Sequence, residues 1–155
     1  MSLDTEKIIR EYVDKTIHMS LGTSNRNKPW VCEVHFVYDQ DLNLYFRSKP
    51  NRRHSQEIAK NPNVAGNIVK QHSDEEAPHG IYFEGTAQQL DESQRQAAFS
   101  YFQKRLAKDE EILTEASKPD GTQFYKITVQ NWYAFGTFDD QPAQKLELRW
   151  NGGAK

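Results

Sequence analysis

A chain of 155 residues is the size of one ordinary folding unit, which buries roughly two-thirds of its unfolded surface, so a single domain over residues 1–155 is expected. Twenty Lys plus Arg against 22 Asp plus Glu leave a formal charge of −2, which argues against a generally basic surface for nucleic acid or for an anionic membrane. Hydrophobic residues make up only 36%, yet they include three Trp, seven Tyr and eight Phe, which predicts an aromatic core or interface beneath a very polar surface.

In chain order, Asp4 is placed to cap an opening amphipathic helix. Leu3 reaches towards Ile8 as a staple, and Ile8, Ile9, Tyr12, Val13 and Ile17 recur at helical spacing. A short strand over Ile17 to Thr23 follows, then the polar turn Ser24 to Pro29, then a strand from Trp30 to Asp39 with alternating side chains. After the turn Asp39-Gln40-Asp41, Leu42, Leu44 and Phe46 share one face of the next strand and Tyr45 and Arg47 the other. Three consecutive antiparallel strands are thus expected. They deliver the chain to a turn at Pro50-Asn51 and a short helix, which Asn61-Pro62 ends because a residue before proline is pushed out of helical geometry.

Asn63 to Lys70 reads as another strand and Gln71 to Pro78 as a solvated loop. His79 to Leu90 reads as a long strand in which Gly85 marks a bulge or a close backbone approach. Asp91-Glu92-Ser93-Gln94 has the form of a capping box, ahead of a second long helix striped by Ala97, Ala98, Tyr101, Phe102 and Leu106. Beyond the turn Lys118-Pro119-Asp120-Gly121, three closing strands are expected: Phe124 to Val129, Tyr133 to Phe138 and Leu146 to Trp150. This order predicts a mainly β (α+β) fold, an antiparallel barrel with peripheral helices rather than a βαβ sheet.

The turn at Pro50-Asn51 has the chemistry of a phosphate site. A helix start leaves N–H groups unpaired and carries the positive end of the helix dipole. Asn51 is the expected N-cap, with Arg52, Arg53 and His54 in the first turn and the Ser48 hydroxyl at the preceding strand end. Arginine adds a planar fork matched to phosphate oxygens, and Lys49 a mobile point charge. The competing reading is a solvated basic turn. Neither a Gly-rich dinucleotide fingerprint nor a Walker-type loop is present, so a nucleotide would have to be held in another way. His18, His35, His54, His72 and His79 form no pair at zinc-ligand spacing, and Cys32 is the sole cysteine, so neither a metal site nor a disulfide is expected. Glu33 and His35 share a strand face, as an acid–base pair or as a polar face turned to an interface. With no apolar run near the ~20 residues that span a bilayer and no hydrophobic leader, a cytoplasmic location without a membrane partner is expected.

One ordered series of short pieces carries a family likeness. It runs Leu21-Gly22-Thr23, Lys28-Pro29, Phe36-Val37-Tyr38-Asp39, Leu44-Tyr45-Phe46-Arg47-Ser48, Arg53-His54, Asn61-Pro62-Asn63-Val64-Ala65 and the Gly80 to Ala87 strand. The chain resembles the FMN-binding split-barrel superfamily typified by pyridoxamine 5′-phosphate oxidase, and within it the small uncharacterised flavin-binding members. The resemblance implies a homodimer with FMN in clefts between subunits; relatives of this fold use a deazaflavin or haem instead. It further implies that Ser48, Arg53 and His54 hold the phosphate, that Val34, His35 and Phe36 line the isoalloxazine edge, and that Trp150, or in second place Trp132, closes the site from the partner subunit. The sequence also departs from the oxidase. Val31 or Cys32 replaces an early arginine, Gly80 stands for a glutamine, and no Arg-x-His occurs around Lys145 to Trp150. The expected activity is therefore flavin-dependent oxidoreduction of an unidentified small molecule, with NADH or NADPH as electron donor, rather than vitamin B6 oxidation. The alternatives are a flavin, deazaflavin or haem carrier or sensor without turnover and, from another class, a single-strand nucleic-acid surface, which the charge disfavours.

Overall fold

A computed structural model describes residues 3–152. Helix α1 (Thr5–Val13) starts where Asp4, in extended conformation, accepts a hydrogen bond from the Lys7 amide at 3.1 Å, and it turns Ile9, Tyr12 and Val13 into the core. Strands β1 (His18–Asn25) and β2 (Lys28–His35) form a hairpin closed by Arg26 and Asn27. Both closing residues take positive φ (53° and 62°), as a two-residue turn that matches strand twist requires.

The strand expected from Trp30 to Asp39 is two strands. It breaks at Phe36, a fully buried residue whose amide donates back to the Ile17 carbonyl at 2.9 Å. Beyond the break, β3 (Val37–Tyr38) pairs with β4 (Leu44–Ser48) and not with β1. The expected run of three consecutive paired strands is therefore a β1–β2 hairpin and a separate β3–β4 pair. Asp39 organises the connecting loop: its carboxylate accepts the amides of Asp41 and Asn43, both at 2.9 Å, and the Tyr45 hydroxyl at 2.8 Å.

Next come α2 (Arg53–Lys60), β5 (Asn63–Ile68) and β6 (Gly80–Gln89). The capping box before α3 (Glu92–Leu106) is present, with Asp91 and Gln94 exchanging backbone-to-side-chain bonds of 2.9 Å. A short helix the sequence reading lacks, α4 (Glu111–Ala116), follows. The three expected closing strands are two, a 14-residue β7 (Gln123–Gly136) and β8 (Gln144–Arg149). β7 runs unbroken through Gln130 to Trp132 because it pairs with β6 along its length, and the register shift opposite Glu84 and Gly85 absorbs one extra residue. A Cβ on Gly85 would lie 2.2 Å from the Thr128 carbonyl oxygen, so the close approach expected there is real.

All pairings are antiparallel, in the order β2-β1-β5-β6-β7-β4-β3 with β8 also on β7, and the sheet curls into a half-barrel. Phe46, Leu44, Leu21, Phe83, Ile127 and Trp132 fill its interior. A second core lies on the other side of β4 and β7, where Tyr45 and Phe124 meet Ala98 and Phe102 of α3 and Ile112 of α4. β4 is thus buried on both faces. The barrel is split: β2 and β4 come close without a ladder between them. Among the described residues no helix is long and apolar enough to cross a membrane.

Candidate anion-binding cleft

At that split lies an open cleft of about 410 Å³, within the roughly 300–1,000 Å³ range of small-molecule sites. One side is the edge strand β2, through Glu33, Val34 and His35, and facing it are Arg47 and Ser48 at the end of β4. An edge strand carries backbone donors and acceptors that no neighbouring strand takes up. Below β4 the chain turns through Lys49 and Pro50, with the Arg52 amide donating to the Lys49 carbonyl at 3.1 Å. Proline at the second position suits such a turn.

The helix N-cap is Arg52, not Asn51: Arg52 has φ −71° and ψ 147°, and no side chain caps the first turn. That one-residue shift decides which cations face the cleft, since successive helical residues are rotated by about 100°. Arg52 and His54 line it, whereas Arg53 does not. Arg53 Nε instead bonds Glu57 Oε2 at 2.8 Å, one turn along, and its guanidinium lies 4.3 Å from the ring centre of Trp30. Glu57, with a side chain only 9% exposed, also accepts the Thr23 hydroxyl at 2.7 Å. The hydrogen bonds from Thr23 and Arg53 hold its carboxyl below the usual range, Thr23 contributing most.

The centre of the cleft is the Ser48–His54 pair, with Ser48 Oγ 2.7 Å from His54 Nε2. Burial, and secondarily the neighbouring Arg52 charge, lower the His54 pKa below the ordinary imidazole value and so favour the neutral ring. Arg47, Lys49, Arg52 and Lys108 surround the pair, against one carboxylate in the lining, Glu33. Lys108 reaches the cleft because α3 ends in a left-handed cap at Ala107 (φ 51°). Phe102 and Leu106 of α3 supply an apolar flank.

The cleft therefore gathers Glu33, Val34, His35, Ser48, Lys49, Arg52 and His54 of the residues singled out in the sequence. Phe36 is fully buried behind it, in the barrel core. Trp150 is 8% exposed and held within its own chain, its indole N–H donating to the Asp41 carbonyl at 2.6 Å with Arg10 stacked 5.6 Å away. The sequence gives no site role to Arg47, Lys108 or Thr122, and of Arg52, Arg53 and His54, all expected in the first turn, Arg53 alone stays out of the cleft lining. No local signal exists for Lys108, 56 positions beyond Arg52 by the numbering.

These features define an antiparallel split barrel with a cationic cleft at its seam. The family model described as pyridoxamine 5′-phosphate oxidase matches residues 5–136, and the chain belongs to that family. Among solved structures it is similar to a haem-binding protein from Mycobacterium smegmatis, with TM-score 0.75 and 14% identity over 96% of this chain and 59% of that one. It is also similar to ChuZ of Campylobacter jejuni, with TM-score 0.73 and 16% identity over 96% and 61%. A third similar structure is a FAD-binding protein from Mesorhizobium loti, with TM-score 0.63 and 18% identity over 84% and 91%. The chain spans about three-fifths of the first two. At such identities the likeness is one of fold. No curated protein matches the sequence.

Proposed function

We propose that this chain binds FMN by its phosphate in the cleft and acts as a flavin-dependent oxidoreductase on a small molecule, with NADH or NADPH as electron donor. The observation that carries the reading is the Ser48–His54 pair at the strand end, 2.7 Å apart in a cleft whose lining also holds Arg47, Lys49, Arg52 and Lys108. The residues fit a phosphate monoester: a hydroxyl, an imidazole, a cationic helix start and an Arg fork converge on one opening. FMN, when bound, supplies the hydride or electron chemistry, and the protein supplies position and field.

The chain's own groups have definite tasks in this reading. Ser48 and His54 hold phosphate oxygens while Arg52 and Lys49 neutralise their charge. An arriving dianion compensates the two effects that favour the neutral His54 ring, so phosphate and a proton are taken up together. Val34 and His35, on the exposed edge strand, are positioned to flank the ring system. The homodimer belongs to the same proposal. Trp30 and Val31, 42% and 63% exposed, stand beside two shallow hollows of about 580 and 560 Å³ that share Gly22, Val31, Ala65 and Glu84. Apolar surface of this kind suits a second copy of the chain.

The test is the visible absorption spectrum of the purified protein, alone and with added FMN. Flavin bands that shift on binding, and that NADH or NADPH bleaches, are the expected result. A haem band would keep the cleft and replace the chemistry, and a protein that ignores FMN would sink the reading.

A further inference from the structure

Hydride transfer in the cleft needs a proton as well as an electron pair, and one side chain of the lining is free to carry it. Arg47, Lys49, Arg52 and Lys108 supply standing charge. His54 is bonded to Ser48 and takes its proton together with the phosphate. Glu33 is tied across the β1–β2 hairpin, its Oε2 accepting the Ser20 hydroxyl at 3.0 Å. That leaves His35, exposed on β2, with neither ring nitrogen hydrogen-bonded among the described residues. Its cross-strand partner is His18, and the two rings meet edge to face, 4.7 Å between centres and 71° between planes. This contact supports the His35 ring on one side. Glu33, two residues back on the same strand face, sets a carboxylate near it. Negative charge arriving in the cleft adds to that carboxylate and favours the protonated imidazole.

We propose that His35, packed against the ring of His18, is the proton donor of the cleft: it takes a proton from water as the bound flavin is reduced and delivers it to the substrate. The inference rests on the FMN reading and extends it to the substrate class, a molecule with a polar double bond such as C=O or C=N. The reaction then balances. NADH gives up a hydride and leaves as NAD+. The electron pair reaches the substrate carbon through the flavin as hydride, the π pair moves to the oxygen or nitrogen, and that atom takes the proton from His35.

The experiment is the pH dependence of the flavin midpoint potential in the FMN-loaded full chain, read by spectroelectrochemistry between about pH 5 and 8, where histidine side chains change charge. Its slope counts the protons taken up per electron pair. Wild type and His18→Phe, which keeps a ring against His35, are expected to take up one proton more than His35→Gln. All three should bind FMN within about threefold of one another, since the phosphate end is untouched. Equal proton counts in wild type and His35→Gln would overturn the proposal. So would loss of the extra proton in His18→Phe, which would make His18 the carrier. A His35→Gln chain that binds FMN at least about tenfold more weakly with an unchanged count would reduce His35 to a flank of the ring system and sink its role as donor. A wild-type chain without flavin bands in the presence of FMN ends the FMN reading and this proposal together, whereas equal counts in a flavin-loaded chain end this proposal alone.

Discussion

His54 is the residue whose protonation reports the cleft. Its pKa is lowered in the folded chain by burial and Arg52, so unfolded chains bind its proton first as pH falls. The stability tied to the neutral ring is thus complete above the ordinary imidazole value and is lost as pH drops through it towards the lower folded value. Phosphate should move the ring the other way. An NMR titration of the His54 ring protons is expected to show a midpoint below the ordinary value in the free protein and a rise when phosphate or FMN is added. A midpoint unmoved by ligand would remove His54 from the site. Replacing it by Ala removes a hydrogen bond to a charged group, worth about 1.5–3 kcal/mol, so phosphate affinity should fall roughly 10- to 100-fold. Arg53→Ala is the contrasting variant. Because Arg53 pairs with Glu57 and stacks on Trp30, its loss should leave phosphate affinity within about threefold of wild type while lowering Tm. A collapse of phosphate affinity in Arg53→Ala would return that residue to the anion site. Glu57, whose pKa is lowered, adds stability that is present above its unfolded value and lost as pH falls through the folded one.

Among the elements, β4 and β7 bear the most, since β4 and the first residues of β7 (Gln123 to Tyr125) are buried on two faces and join the two cores. Gly85 sits where β6 crosses the bulge in β7, and any Cβ there meets backbone that cannot move aside. Gly85→Val is expected to destabilise by about 3 kcal/mol or more, the upper end for overpacking, as read from urea unfolding. An unchanged midpoint would mean that the strand crossing relaxes freely. A Cβ added to Gly66 would likewise run into the Ser20 carbonyl oxygen, and into the Phe83 ring beside it. Two elements were illegible in the sequence for identifiable reasons. The Phe36 break is invisible in an alternating pattern that continues smoothly through it, because only the partner strands change. β7 stays unbroken where two strands are expected because β6 pairs with it on both sides of the Gln130 bulge, and the Gln130 carbonyl accepts the Trp150 amide at 2.8 Å.

At the scale of the molecule, β2 is an edge strand beside an exposed Trp30 and Val31, and a homodimer would cover both. Sedimentation of the wild-type chain is expected to give a dimer, and Val31→Glu a monomer that has lost FMN; a flavin-loaded monomer would end the shared-cleft proposal. The sequence by itself determined what depends on near neighbours. The Asp4 and Asp91 caps, the Asn61-Pro62 helix stop, the tight turns and the alternation of Tyr45 and Arg47 against Phe46 all follow from spacing within a few residues. It determined the antiparallel class as well, and the Ser48, Lys49 and His54 core of the cleft, since these lie within one turn of chain. Tertiary structure alone decided which strands meet, that the barrel stays open between β2 and β4, and that Arg47 and Lys108 share its wall. It also decided that Arg53 faces Glu57 and Trp30. Those are contacts between residues far apart in the chain or one helical rotation away, and they are set by packing rather than by any local pattern.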